Sequence, residues 1–171
     1  EHIEVVESLS HNNLGSKFKW AGTTEERNKL WKARHDVYYS VKSQKNDARV
    51  YTTDVCVPIS KLVECIKFVE IEVQKYGLKA PMVGHVGDGN FHTTFLYDPS
   101  KKEDYDLIRN FCNKLIDKAL ELDGTITGEH GVGIHKKEYL IKQHGDNIPI
   151  MRSIKNTIDP NNIMNPGKIF D

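Results

Sequence analysis

Two histidines, His85 and His92, flank a glycine-rich turn in segment 84–92, whose sequence is GHVGDGNFH. Aspartate, asparagine and glycine suit tight turns, and the runs 81–86 and 91–97 on either side are typical of strands. The segment therefore predicts a β-hairpin whose register pairs His85 with His92, whether its loop has two residues or four. Side chains paired across two strands have Cβ atoms about 4.5–5.5 Å apart. Two imidazoles so placed could bind one metal ion.

A second glycine-rich segment, 128–133, encloses a carboxylate and an imidazole, Glu129 and His130. Packing explains a charged pair on such a loop poorly, because glycines allow sharp turns and close backbone approach. The glycine spacing is wrong for a dinucleotide-binding fingerprint. Two histidines and a carboxylate form the ligand set of a catalytic zinc site, so Glu129 is the candidate third ligand. An ordinary hydrogen-bonded histidine pair on the surface is the alternative, and spacing alone leaves it open.

The elements that must position these residues follow the order strand, helix, strand, strand, helix. Alternating β-rich sequence predicts a strand over 49–57, and helical spacing of apolar residues predicts helices over 60–76 and from about 100 to 122. A short β-like stretch follows at 125–127. This order predicts an α+β fold with a ferredoxin-like antiparallel sheet and helices on one face. A C-terminal helix over 147–158 and an irregular tail complete the prediction.

The residues before this sheet predict a further helix. Residues 1–9 are compatible with an edge strand or with the end of another element, and 17–20 with a short strand. Thr23 and Glu26 then have the spacing of a capping box at a helix start. Arg34 lies on the apolar stripe of that helix. The ordinary interpretation is an arginine whose stem covers apolar surface while its head reaches water.

Composition argues against several classes of function. The 171 residues carry 24 basic and 24 acidic side chains, without the charge imbalance typical of a nucleic-acid-binding protein. No apolar stretch approaches the roughly 18–20 residues of a transmembrane helix, and the chain opens without a signal-peptide pattern. A soluble protein is therefore expected. The odd, widely spaced cysteines Cys56, Cys65 and Cys112 favour buried free thiols in a reducing compartment.

Three segments together resemble a known family: GHVGDGNFH over 84–92, TGEHGVG over 127–133 and DPNNIMNPGK over 159–168. With LWKAR over 30–34, they are similar to the C-terminal part of the FAD-linked D-2-hydroxyacid dehydrogenases. The resemblance runs from about Lys17 to the end of the chain. It implies that residues 1–158 form the substrate or cap domain, truncated at its N-terminus. It also implies that 159–171 form a tail returning to a flavin-binding domain that this chain lacks.

The resemblance also implies an activity and its cofactors. The whole protein would oxidise D-lactate or a similar small D-2-hydroxy acid in mitochondria, with FAD, a divalent metal, usually zinc, and possible electron transfer to cytochrome c. The implied metal ligands are His85, His92 and Glu129. His130 would remove the proton of the metal-polarised 2-hydroxyl, a hydride would pass to N5 of FAD, and Arg34 would hold the substrate carboxylate. In the tail, Asn165 and Lys168 would contact the flavin.

Two departures bear on the substrate. Relatives that act on dicarboxylates carry an asparagine where this chain has Thr94, and a lysine near the position of Thr52. Thr94 shares a strand face with His92 and is a candidate pocket residue. The missing lysine removes a cation for a second carboxylate and favours a small monocarboxylate. The competing hypothesis is a stand-alone metal-binding or interaction module without redox activity, and the chain alone is expected to be inactive.

Overall fold

The computed structural model describes residues 1–170, which separate into two compact units, Glu1–Gln44 and 45–170. The first unit contains α1 (His2–Asn12) and α2 (Thr24–Lys42). Thr23 begins α2 with a complete capping box. Its hydroxyl accepts a hydrogen bond from the Glu26 N–H, and the Glu26 carboxylate accepts one from the Thr23 N–H. The predicted helix start is therefore confirmed.

The edge-strand alternative for residues 1–9 and the short strand predicted over 17–20 are wrong. Residues 2–12 form α1, and residues 17–20 form no strand. The apolar pairs Ile3–Val6 and Val5–Leu9 stand three and four residues apart, which is helical spacing, although Ile3 and Val5 also fit strand alternation. So short a run does not distinguish the two periods.

The second unit contains the sheet and further helices. In chain order its elements are β1 (Arg49–Thr52), β2 (Val55–Cys56), α3 (Ile59–Lys75), β3 (Met82–His85), β4 (Asn90–Tyr97), α4 (Lys102–Glu121), α5 (Lys137–His144) and α6 (Ile148–Ile158). Short 3₁₀ turns at Val86–Asp88 and Gly145–Asn147 connect β3 to β4 and α5 to α6. The strand predicted over 49–57 is interrupted after Thr52. The helix α5 escaped prediction because only two of its eight residues, Tyr139 and Leu140, are buried.

The central strand of the antiparallel sheet is β4. β3 pairs with one edge of it, and β1 and β2 pair with the other edge in one register, in which Arg49 faces Tyr97 and Val55 faces Phe91. An isolated antiparallel bridge joins β2 to Thr125 on the outer side. The element order β-α-β-β-α-β and this strand arrangement are those of a ferredoxin-like sheet. The predicted α+β fold is confirmed.

The hydrophobic core lies between one face of the sheet and helices α3 and α4. Phe91 and Phe95 of β4 belong to it, and the Phe95 ring meets the Phe111 ring of α4 edge-on with centroids 5.0 Å apart. Side chains alternate along a strand, so the other face of β4 carries polar residues. These are Asn90, His92 and Thr94, and all three are buried. Segment 127–136 covers this polar face through hydrogen bonds to Asp54.

The prediction of buried cysteines is confirmed for Cys65 and Cys112 and is wrong for Cys56. Cys65 and Cys112 are buried, Cys56 is half-buried, and all three are free thiols. Across residues 1–170, every helix is too short or too polar to cross a bilayer.

Candidate metal centre

The predicted hairpin forms, but its register differs by two residues. His85 lies opposite Asn90 and Val83 opposite His92, so the predicted pairing of His85 with His92 is wrong. The cause is the loop, in which residues 86–88 form a 3₁₀ turn and Gly89 has a left-handed φ of +75°. A shift of two residues keeps both histidines on the same face. They become diagonal neighbours, with ring centroids 6.4 Å apart.

The three predicted ligand residues converge on one point. His92 Nε2 lies 2.6 Å from Glu129 Oε1, and His85 Nε2 lies 3.7 Å from Glu129 Oε2. One donor atom from each residue lies within 4.8 Å of the other two. His92 is buried, His85 is half-buried and Glu129 is exposed, so the cluster opens to solvent on one side. Three ligands with an open side suit a catalytic divalent cation.

His92 is held in the tautomer that metal coordination requires. Its Nδ1 lies 3.0 Å from the backbone oxygen of Thr53, and a carbonyl oxygen can only accept, so Nδ1 carries the proton. The lone pair of the neutral ring is then on Nε2. This atom is buried and has no partner in hydrogen-bond geometry, even though Glu129 approaches it closely. A buried imidazole nitrogen without a hydrogen bond, next to a carboxylate oxygen, fits a cation that both residues would hold.

His130 lies at the edge of the cluster. Its ring stacks on the His92 ring at 4.8 Å with an interplanar angle of 7°, and its Nε2 lies 3.8 Å from Glu129 Oε1. The side chain is exposed and lines a cleft of about 840 Å³ beside β1. An imidazole in this place can exchange a proton with a molecule held in the cleft.

Sequence reasoning missed two residues beside the cluster, Asp54 and Lys136. The Lys136 ammonium donates hydrogen bonds to the backbone oxygens of Asp54 and Ile126, both at 3.0 Å, and lies 3.5 Å from the Asp54 carboxylate. Burial lowers the pKa of Lys136, and the Asp54 charge opposes this shift. Burial alone would raise the pKa of Asp54, but hydrogen bonds from Thr127 and the His130 N–H hold it well below its ordinary value. The sequence did contain a signal for Asp54, because aspartate is disfavoured inside a β-rich run such as 49–57.

The structure places the other predicted site residues at three locations. Thr94 is buried on the same face of β4 as His92. Asn165 and Lys168 are exposed in a turn of the tail, where the Lys168 N–H donates to the Asn165 carbonyl at 3.2 Å. Arg34 is half-buried on α2 of the first unit. The roles expected of these four residues stay predictions.

Known proteins resemble this chain in sequence. The family described as FAD linked oxidases, C-terminal domain, matches residues 1–169. A Danio rerio protein named probable D-lactate dehydrogenase, mitochondrial, is 40% identical over 172 residues, which are 100% of this chain and 35% of the relative. D-lactate dehydrogenase (cytochrome) 1, mitochondrial, of Saccharomyces cerevisiae is 39% identical over 175 residues, covering 99% of this chain and 29% of the relative. The chain thus spans about a third of the length of these curated relatives.

A solved structure extends the likeness to the fold. The 4-ethylphenol oxidase of Gulosibacter chungangensis, in its isoeugenol complex, superposes with a TM-score of 0.57 over 88% of this chain and 31% of that chain. The two sequences are 18% identical, so this comparison concerns the fold alone.

Proposed function

Because the chain belongs to the family of FAD linked oxidase C-terminal domains, we propose that it is the substrate- and metal-binding part of a flavin-dependent dehydrogenase. The resemblance inferred from the motifs is confirmed at the level of the family. The whole protein would oxidise D-lactate or a similar small D-2-hydroxy acid to the 2-oxo acid, with FAD held mainly outside this chain. Matches that span this chain and about a third of each mitochondrial D-lactate dehydrogenase support this activity and a mitochondrial location, and the name of the yeast relative suggests a cytochrome as electron acceptor.

The convergence of His85, His92 and Glu129 carries the proposal. These side chains present donor atoms within 4.8 Å of one another, and the lone pair of His92 Nε2 has no hydrogen bond to satisfy it. They would hold a divalent cation, and two imidazoles with one carboxylate suit zinc. When bound, the cation would supply a Lewis acid that lowers the pKa of a coordinated hydroxyl group.

The chain's own side chains would orient the substrate and accept its proton. His130 is the proposed base, because its exposed ring lies against His92 and faces the cleft. Imidazole is the side chain best suited to accept a proton near neutral pH. Arg34 would pair its guanidinium fork with the substrate carboxylate. Asn165 and Lys168 are the proposed flavin contacts in the tail.

A monocarboxylate is the proposed substrate class. Thr94 and Thr52 lie opposite each other on β4 and β1, on the face that carries His92. Both side chains are neutral hydroxyls, so neither position offers a cation to a second carboxylate. D-lactate and similarly small 2-hydroxy acids fit this arrangement better than dicarboxylic 2-hydroxy acids do.

Zinc content and D-lactate oxidation test the two halves of the proposal separately. In the complete flavoprotein that carries this chain, His92→Ala is expected to lose both zinc, measured by elemental analysis, and oxidation. His130→Ala should keep zinc and FAD while losing about 10²–10⁴-fold in turnover, the usual contribution of a general base. His11→Ala, a change on the exposed face of α1, is the control and should behave as wild type.

Three outcomes would contradict the proposal. Full zinc retention by His92→Ala would show that His92 is not a metal ligand. Near wild-type oxidation by His130→Ala would show that His130 is not the base. A complete protein that binds zinc but no flavin would instead be a metal-binding module without redox activity.

A further inference from the structure

The break between β1 and β2 lies directly beside the metal cluster. Asp54, in this break, is only 2% exposed. Its carboxylate accepts hydrogen bonds from three successive backbone N–H groups, those of Gly128, Glu129 and His130, at distances of 2.9 to 3.2 Å. Successive N–H groups that converge on one anion form a nest. Here the anion is the Asp54 side chain, and the nest is formed by the loop that carries the third ligand, Glu129, and the proposed base, His130.

Side chains occupy the rest of the Asp54 carboxylate. Thr127 Oγ1 donates to Oδ2 at 2.6 Å, Asn90 Nδ2 donates to Oδ1 at 2.9 Å, and Lys136 Nζ lies 3.5 Å from Oδ2. A carboxylate accepts about four hydrogen bonds, so both oxygens are fully used. Asp54 is therefore a poor candidate for a direct metal ligand, although it comes within 4.8 Å of donor atoms of His92 and His130.

The loop reaches Asp54 only because residue 128 is glycine. A Cβ atom on Gly128 would lie 1.9 Å from Asn90 Nδ2 and 3.0 Å from Asp54 Oδ1. The first distance is far below van der Waals contact. The close approach of the loop backbone to the carboxylate is thus part of how the segment is built.

The same break also orients the buried histidine. The Thr53 carbonyl accepts the His92 Nδ1 proton at 3.0 Å, and the Thr53 hydroxyl accepts the Thr93 N–H at 2.8 Å. Two adjacent residues between β1 and β2 therefore hold both His92 and the 128–130 loop, which reach the cluster from different parts of the chain.

We infer that Asp54 is a positioning residue, which holds Glu129 against His92 and the His130 ring beside it, and so sets the metal affinity of the site. The inference rests on the proposed metal site and goes beyond its three ligands. Partners that orient metal ligands typically change metal affinity about 10–100-fold when they are removed. Asp54 should fall in this range, because its hydrogen bonds fix the backbone of both Glu129 and His130.

Zinc affinity of the chain tests this inference. Asp54→Asn keeps the size of the side chain but removes the charge and turns one acceptor into a donor that faces other donors. Competition with a chromophoric chelator at 25 °C should show zinc binding about 10–100-fold weaker than in wild type. Cobalt(II), used as a probe of coordination geometry, should give an altered visible spectrum. Val69→Ala, at a fully buried position of α3, is the control that loosens the core and should leave affinity and spectrum unchanged.

Each outcome decides the question. Equal zinc affinity and an unchanged cobalt spectrum in folded Asp54→Asn would overturn the positioning role while leaving the metal site intact. An equal loss in Val69→Ala would assign the effect to general stability and would also overturn it. A wild-type chain that binds neither metal would refute the metal site itself. If Asp54→Asn does not fold, Thr127→Val removes a single donor to the carboxylate, and wild-type affinity and spectrum in that folded variant would overturn the inference.

Discussion

Replacing Gly89 by alanine adds one methyl group but is expected to destabilise the second unit substantially. Gly89 has a φ of +75°, and an added Cβ would lie 1.9 Å from the Val57 carbonyl oxygen. A left-handed conformation costs a residue with a Cβ about 1–2 kcal/mol. Relieving the clash would also stretch the 3.0 Å hydrogen bond from the Val57 N–H to the Gly89 carbonyl, which is worth about 0.5–1.5 kcal/mol. Allowing for residual strain, the expected loss is about 2–4 kcal/mol.

A neighbouring glycine supplies a matched control. Gly87 lies in the same loop, has no positive φ, and an added Cβ there would meet nothing within 4 Å. Gly87→Ala should therefore be neutral or stabilise the fold by about 0.4–1 kcal/mol, because alanine reduces the entropy of the unfolded chain. Urea unfolding of both variants, followed by circular dichroism and compared at equal m-values, measures the difference.

If Gly89→Ala and Gly87→Ala unfold at the same urea concentration, the reasoning is refuted. That result would mean that Gly89 neither needs its left-handed conformation nor contacts Val57, and the structural cause assigned to the observed hairpin register would be wrong. The zinc affinity of Gly89→Ala gives an independent readout, because this loop sets where His85 stands relative to His92. Weaker zinc binding than in Gly87→Ala is expected.

Two further predictions concern ionisable side chains. Lys114 donates a 2.7 Å hydrogen bond to Glu72 and lowers its pKa, so this contribution to stability is present above the ordinary pKa of 4.5 and is lost as the pH falls below it. The stability difference between wild type and Glu72→Gln, from urea unfolding, should stay constant between pH 7 and pH 5 and shrink as the pH falls from 4.5 through the lowered pKa of Glu72; a difference that stays constant down to pH 3 would contradict it. Burial raises the pKa of all three thiols, those of Cys65 and Cys112 to about 11, but only Cys56 is half-buried rather than buried, so iodoacetamide at pH 8 should alkylate Cys56 first, as mapped by mass spectrometry. Equal rates in the folded chain would contradict the burial of the other two thiols.

Local patterns in the sequence were sufficient to predict the capping box and to predict which side chains share a face of β4. The Thr23–Glu26 box involves residues three positions apart, so its geometry depends on few other contacts. Alternation along a strand likewise determined that Phe91 and Phe95 face the core while His92 faces the opposite side. The two histidines therefore shared a face under either hairpin register.

The sequence by itself determined the residue types and strand faces from which a metal site could be built. Only the tertiary structure decided the partner of His85 and the role of Asp54. The hairpin register depends on Gly89 packing against Val57, more than thirty residues earlier in the chain. The Asp54 nest depends on a loop 74 to 76 residues away. Contacts across such separations follow from the fold as a whole, because neither partner leaves a periodic or local pattern near the other.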